Sequence, residues 1–123
     1  RLMLGVYVIF SRLQGIETVI FDEIDSGVSG RVASAIGIKM HELSKTAQVF
    51  AVTHLGQVAA CGDAHYLVAK NSDAQRTHTL ITRLDMEGRI DALAAIASGT
   101  MSETARQAAR ELLQHHQERI ANP

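Results

Sequence analysis

The sequence predicts an α/β fold in which parallel strands with a crossover helix come first, followed by a strand pair and C-terminal helices. Three observations carry that reading. Two short apolar runs, Thr18-Val19-Ile20-Phe21 and Gln48 to Val52, contain β-branched or aromatic residues and stop abruptly at polar ones. Between them, apolar residues return every three or four positions, the spacing of one helical face. Composition agrees, because 46% hydrophobic residues with only 4% aromatics describe an aliphatic core of Val, Ile, Leu and Ala rather than a disordered chain.

In chain order, Leu2, Val6, Ile9 and Leu13, with Met3, Tyr7 and Phe10 on the adjoining stripe, predict a helix buried on most sides that Gly15 can end. Thr18 to Phe21 reads as a strand covered on both faces, since an unbroken apolar run leaves no polar face for water. A loop from Ile24 to Gly30 leads into a helix from about Ser29 to Ser44, with Val32, Ile36, Met40 and Leu43 inward and Ser29 placed to cap it. Strand, helix and strand at this length imply a right-handed parallel crossover. Both polar strand ends, Asp22-Glu23 and Thr53-His54, then lie on one edge of one sheet. Leu55 to Ala60 predicts a short helix, and Tyr66-Leu67-Val68 and Thr77 to Leu84 a strand pair around a polar turn at Asn71 to Gln75. The tail is helical from Arg89 to Ile96 and from Ser102 to Gln117, broken at Ser98-Gly99, with Met101, Ala105, Ala108 and Leu112 on the inner stripe.

At 123 residues the chain is one domain long. A formal net charge of −1 excludes a chain-wide basic field that would hold DNA by phosphate neutralisation, so any DNA contact is local or lies elsewhere. The longest apolar stretch, Leu2 to Phe10, is too short to span a bilayer and has neither the basic start nor the cleavage site of a signal peptide. Cys61 is the single cysteine, so no intrachain disulfide forms and no zinc-ligand spacing exists; a cytoplasmic protein with Cys61 as a small buried residue is expected. Arg1 opens the chain inside an apolar pattern with no capping residue ahead of it, the expectation for a fragment.

Two adjacent acids at the carboxyl end of a buried parallel strand stand where open α/β sheets collect their ligands. Asp22 and Glu23 point in different directions from an extended strand, so one can face a magnesium ion while the other reaches a water. Taken alone, Asp22 reads equally well as a cap for the following turn and Glu23 as a solvated carboxylate. Downstream, Asp25-Ser26-Gly27 opens a loop in which Gly27 and Gly30 permit close backbone approach, although Asp25 also suits an ordinary turn. His54 ends the second strand beside the acids, where a lone histidine is more often structural. The joint pattern of VIFDE, IDSGVSG and VTHLGQVA, in that order and on alternating strand and helix, is far more specific than any one part.

That pattern resembles the ABC-type ATPases, and FDEIDSGVSGRVA followed by VTHLGQVAACGDAHYLVAK, with TARQAARELL in the tail, closely resembles the RecN family of bacterial DNA double-strand-break repair proteins, relatives of the SMC ATPases. The resemblance covers nearly the whole chain, 1–123, and implies the C-terminal lobe of an ABC/SMC-type P-loop ATPase head. It implies ATP and Mg²⁺ in the complete head. Asp22 would support the Mg²⁺ through water as the Walker B aspartate, and Glu23 would polarise the attacking water. Asp25, Ser26 and Gly27 would form the D-loop against a second head, and His54 would be the switch histidine at the γ-phosphate. The implied partners are an N-terminal lobe of the same protein, a second head in an ATP-dependent dimer, and DNA through the full-length protein, with no membrane. A cytoplasmic, nucleoid-associated location follows.

The chain also departs from the family pattern. No GxxxxGK[ST] loop occurs, none of Lys39, Lys45 and Lys70 follows a glycine-rich turn, and no Leu-Ser-Gly-Gly-type signature is present. The isolated chain is therefore expected to be inactive. Three alternatives stand beside the leading reading: the head of another SMC or ABC protein, a metal-dependent hydrolase using Asp22, Glu23, Asp25 and His54, and a non-enzymatic docking module. Of the other conspicuous residues, His115-His116 are expected to be solvated on a polar face of the last helix, and Arg31 to lie on the surface or pair with Asp25. His65 and Lys70 receive no chemical step.

Overall fold

The computed structural model describes residues 15, 17–23, 27–28, 30–72 and 77–121. The helix expected over Leu2 to Leu13, the Asp25-Ser26 pair and the Ser29 cap lie outside these residues.

Strands β1 (Thr18–Asp22) and β2 (Gln48–Val52) pair in parallel, with Thr18 opposite Gln48 and Asp22 opposite Val52. Helix α1 (Gly30–Ser44) makes the crossover. Three of its four expected inward positions, Ile36, Met40 and Leu43, are buried with Val19, Phe21, Ala47 and Val58 in a first core; Ala33 is buried there in place of Val32, which packs half-buried at its margin. The chain leaves α1 through Thr46 and Ala47, whose amides both donate to the Leu43 carbonyl.

The expectation that β1 is covered on both faces is not met. Val19 and Phe21 are buried against α1, whereas Ile20 is 70% exposed and Val52 57% exposed on the opposite face. Side chains alternate across a strand, so an unbroken apolar run supplies two apolar faces, and within the described residues α1 covers one.

After β2 the short helix α2 (Gly56–Ala59) turns the chain toward an antiparallel hairpin of β3 (Tyr66–Ser72) and β4 (Thr77–Arg83). Strand β3 runs through Asn71 and Ser72, which the sequence reading placed in the turn, while Leu84 falls outside β4. Helices α3 (Met86–Ser98) and α4 (Glu103–Ala121) are each longer than expected and pack as a pair. Asp85 caps α3, its Oδ1 accepting the Gly88 amide at 2.8 Å. Gly99 ends that helix in the left-handed region at φ 68, where a side chain is disfavoured, so the break at Ser98-Gly99 is real.

A second core forms from Ala60, Ile90, Leu93, Ala94, Ala109 and Leu113, with Ala105 and Leu112 packed at its margin. The inner stripe of α4 thus departs from expectation, because Ala108 and Met101 are exposed and Ala109, Leu113 and His116 face inward. An alanine-rich helix offers two overlapping stripes one residue apart, and packing selects between them. His116, expected in solvent, is 1% exposed, while its neighbour His115 is exposed.

The two cores meet at residues 58–65. Gly37 of α1 lies so close that a Cβ there would come within 2.7 Å of Cys61 Sγ and 3.2 Å of Val58 Cα. Cys61 Sγ in turn lies 3.3 Å from His116 Nδ1 on α4. Arg89 on α3 donates to the Gly62 carbonyl at 2.8 Å, and His65 Nε2 lies 2.7 Å from the Ala59 carbonyl.

Candidate functional site

The parallel register brings the two polar strand ends together. Asp22 is the last residue of β1 and stands opposite Val52, the last residue of β2, so Glu23 and Thr53-His54 leave adjacent strands at one edge. A backbone bond extends the pairing one step further, the Glu23 amide donating to the Val52 carbonyl at 3.1 Å.

At Glu23 the chain stops being a strand. Its φ is 48, and it is the one non-glycine residue with positive φ among those described. The left-handed region crowds a Cβ against the backbone and costs about 1–2 kcal/mol, so the turn is held there by its surroundings. Asp22 keeps strand geometry while Glu23 does not. Both carboxylates are exposed, and neither joins an ion pair with a described residue. Gly27 is exposed with φ 72, again left-handed, consistent with a loop that needs glycine at this point.

His54 is exposed directly beyond β2. Its backbone is held by Thr53, whose Oγ1 accepts the Leu55 amide at 3.0 Å. Leu55 packs against the first core. Asp22, Glu23 and His54 are therefore brought to one sheet edge. Among the described residues no three His, Cys, Asp or Glu side chains gather in a way that would hold a metal by themselves. Hard, exposed carboxylate oxygens at a strand end do suit Mg²⁺, which keeps several of its waters and needs only one or two protein ligands.

Away from this edge, α1, the turn at Cys61 to Asp63, α3 and α4 enclose a cleft of 220 Å³ lined by His41, Cys61, Asp63, Arg89, Gln117 and Ile120. Burial pushes the Cys61 thiol up to about 11, with the nearby Arg119 charge opposing it, so the sulfur stays protonated and unreactive at neutral pH. Sequence reasoning did not find the role of Thr53 or the Cys61–His116 contact. A Thr-X-apolar step just before a helix was a usable sign of the first; nothing local signals the second.

The α/β unit, with its parallel strand pair, hairpin and C-terminal helix pair, shares its fold with a solved SMC ATPase. A solved structure described as "Structural biochemistry of ATP-driven dimerization and DNA stimulated activation of SMC ATPases" superimposes with a TM-score of 0.58 over 76% of this chain and 56% of that one, at 17% identity. No family model matches the chain. Over nearly its whole length, however, the chain is RecN-like. It is 42% identical over 114 residues to DNA repair protein RecN of Halalkalibacterium halodurans and 40% identical over 114 residues to that of Bacillus subtilis, each match covering 92% of this chain. It is 43% identical over 115 residues to the Streptomyces coelicolor protein. The chain spans about a fifth of the length of these relatives.

Proposed function

We infer that this chain supplies the Walker B, D-loop and switch elements of a RecN-type ATPase that acts in DNA double-strand-break repair and recombination. The observation that carries the reading is the Asp22–Val52 register with its Glu23–Val52 bond, which sets an Asp-Glu pair beside a histidine on one sheet edge. The identity to RecN proteins supports the biological role, and the likeness to an SMC ATPase supports the fold.

In this reading Asp22 would hold Mg²⁺ through water, and the ion would supply positive charge to offset that of the ATP phosphates. Glu23 accepts a proton from the attacking water as the water meets the γ-phosphorus, and the bond to the β–γ bridging oxygen breaks to leave ADP and phosphate. His54 donates a hydrogen bond to the γ-phosphate and distinguishes tri- from diphosphate. Asp25, Ser26 and Gly27 form the loop that meets a second head. The nucleotide-binding loop would come from an N-terminal lobe of the same protein. ATP then holds two heads together, hydrolysis releases them, and DNA is engaged through the full-length protein. Among the described residues no helix is long and apolar enough to cross a membrane.

Glu23→Gln in the full-length protein tests this. The substitution is expected to lower Mg-ATP turnover by roughly 10²–10⁴-fold while an ATP-bound dimer accumulates, read by size exclusion with ATP present. Undiminished turnover would overturn the assignment and favour the docking-module alternative.

A further inference from the structure

His54 is an exposed side chain on a backbone held from both sides. Val52, two residues before it, ends β2 and accepts the Glu23 amide at 3.1 Å. Leu55, immediately after it, packs against the first core and donates its amide to Thr53 Oγ1 at 3.0 Å. The ring closed by that hydroxyl encloses both peptide units of His54, the geometry of a Ser/Thr turn. Leu55 is also the residue from which α2 starts, and it carries no side-chain cap of its own. Without the hydroxyl, the two peptide units of His54 lose the restraint that lies nearest to its side chain. With it, a hydrogen bond on either side of His54 ties its backbone to Glu23 and to the start of α2.

We propose that Thr53 is a positioning residue for ATP hydrolysis, its hydroxyl setting the backbone of His54 relative to the Asp22-Glu23 pair. It acts through His54 rather than by contact with the nucleotide, and the proposal rests on the reading of His54 as the γ-phosphate sensor. Loss of one neutral hydrogen bond from a half-buried site has a modest effect on stability. Misplacement of a group that touches the transferring phosphate falls instead on the rate of the chemical step.

The test measures Mg-ATP kcat and KM in the full-length protein for Thr53→Val, Thr53→Ser, His54→Ala and the Thr53→Val/His54→Ala double variant. Valine keeps the shape of threonine without the acceptor, and serine keeps the acceptor. Thr53→Val is expected to lower kcat roughly three- to tenfold with KM changed by less than about twofold, and Thr53→Ser to restore near-native kcat. Because Thr53 works through His54, Thr53→Val is expected to add nothing to the loss in His54→Ala. Native kcat in Thr53→Val, equal impairment in Thr53→Ser, or a loss that multiplies onto that of His54→Ala would each overturn the proposal. A His54→Ala protein with native turnover removes the underlying reading and the proposal together. An impaired His54→Ala beside an unaffected Thr53→Val overturns the proposal alone.

Discussion

His116 occupies the inner face of α4 at 1% exposure, its Nδ1 3.3 Å from Cys61 Sγ and its Nε2 without a hydrogen-bond partner among the described residues. Protonation would place a charge and a second N–H donor at a buried site with no acceptor for it. Burial accordingly lowers its pKa below the ordinary 6.5, and the neighbouring His115 and Arg119 charges push the same way. Burial also lowers the pKa of His65, with Arg89 adding to the effect and the Ala59 bond opposing it. A histidine that is harder to protonate when folded leaves the unfolded chain binding more protons, so stability is full above 6.5 and is lost as pH falls from there toward the depressed folded value. The thermal midpoint of the chain is expected to fall as pH drops below 6.5, and less steeply in His116→Asn, which keeps a polar acceptor but cannot titrate. An unchanged slope in that variant would assign the acid response to His65. Sequence could not reveal this burial because the contact partner lies 55 positions away. Asp22, Glu23 and His54, by contrast, were legible because each sits at the end of an apolar strand, where a polar residue stands out.

At the scale of elements, α1 was readable because most of its apolar positions follow one helical period, and β2 because a short apolar run stops abruptly at polar residues. Where two periods fit, the reading failed: the Ala105, Ala108 and Leu112 stripe of α4 was one residue out of phase, and the apolar run in β1 concealed which face is covered. Close approach between elements leaves even less trace in sequence, and Gly37 shows why. Read locally, it is a helix-interior glycine that alanine should improve by about 1 kcal/mol. In the structure a Cβ there would lie 2.7 Å from Cys61 Sγ and 3.2 Å from Val58 Cα, and a backbone atom cannot swing aside. Overpacking of this kind costs about 1–3 kcal/mol, so Gly37→Ala is expected to be destabilising overall in denaturant unfolding. Because Sγ makes the nearest of these contacts, the loss should shrink, without vanishing, when Gly37→Ala is introduced into a Cys61→Ala background. A stabilised Gly37→Ala chain would show that α1 is free to move away from the turn at Cys61.

Over the whole molecule, apolar surface is distributed unevenly. Ile20, Phe50 and Val52 are exposed on the sheet face turned away from α1, and the β3–β4 hairpin exposes Leu67, Val68, Leu80 and Ile81. A two-stranded hairpin is at best marginally stable in water without packing against something else, and clustered apolar residues on open strands invite association. These surfaces make a prediction separable from catalysis. The purified chain is expected to self-associate with rising concentration in sedimentation velocity and to show no Mg-ATP turnover. Ile20→Thr with Phe50→Thr, both at partly or largely exposed positions of paired strands, should shift the distribution toward monomer at little cost in thermal midpoint. If the double substitution leaves association unchanged while Ile81→Thr relieves it, the hairpin is the adhesive surface and the open sheet face is not. If the same double substitution in the full-length protein lowers its thermal midpoint by several degrees, that face is covered there. A full-length protein indifferent to it would mean that this face stays open to solvent there too.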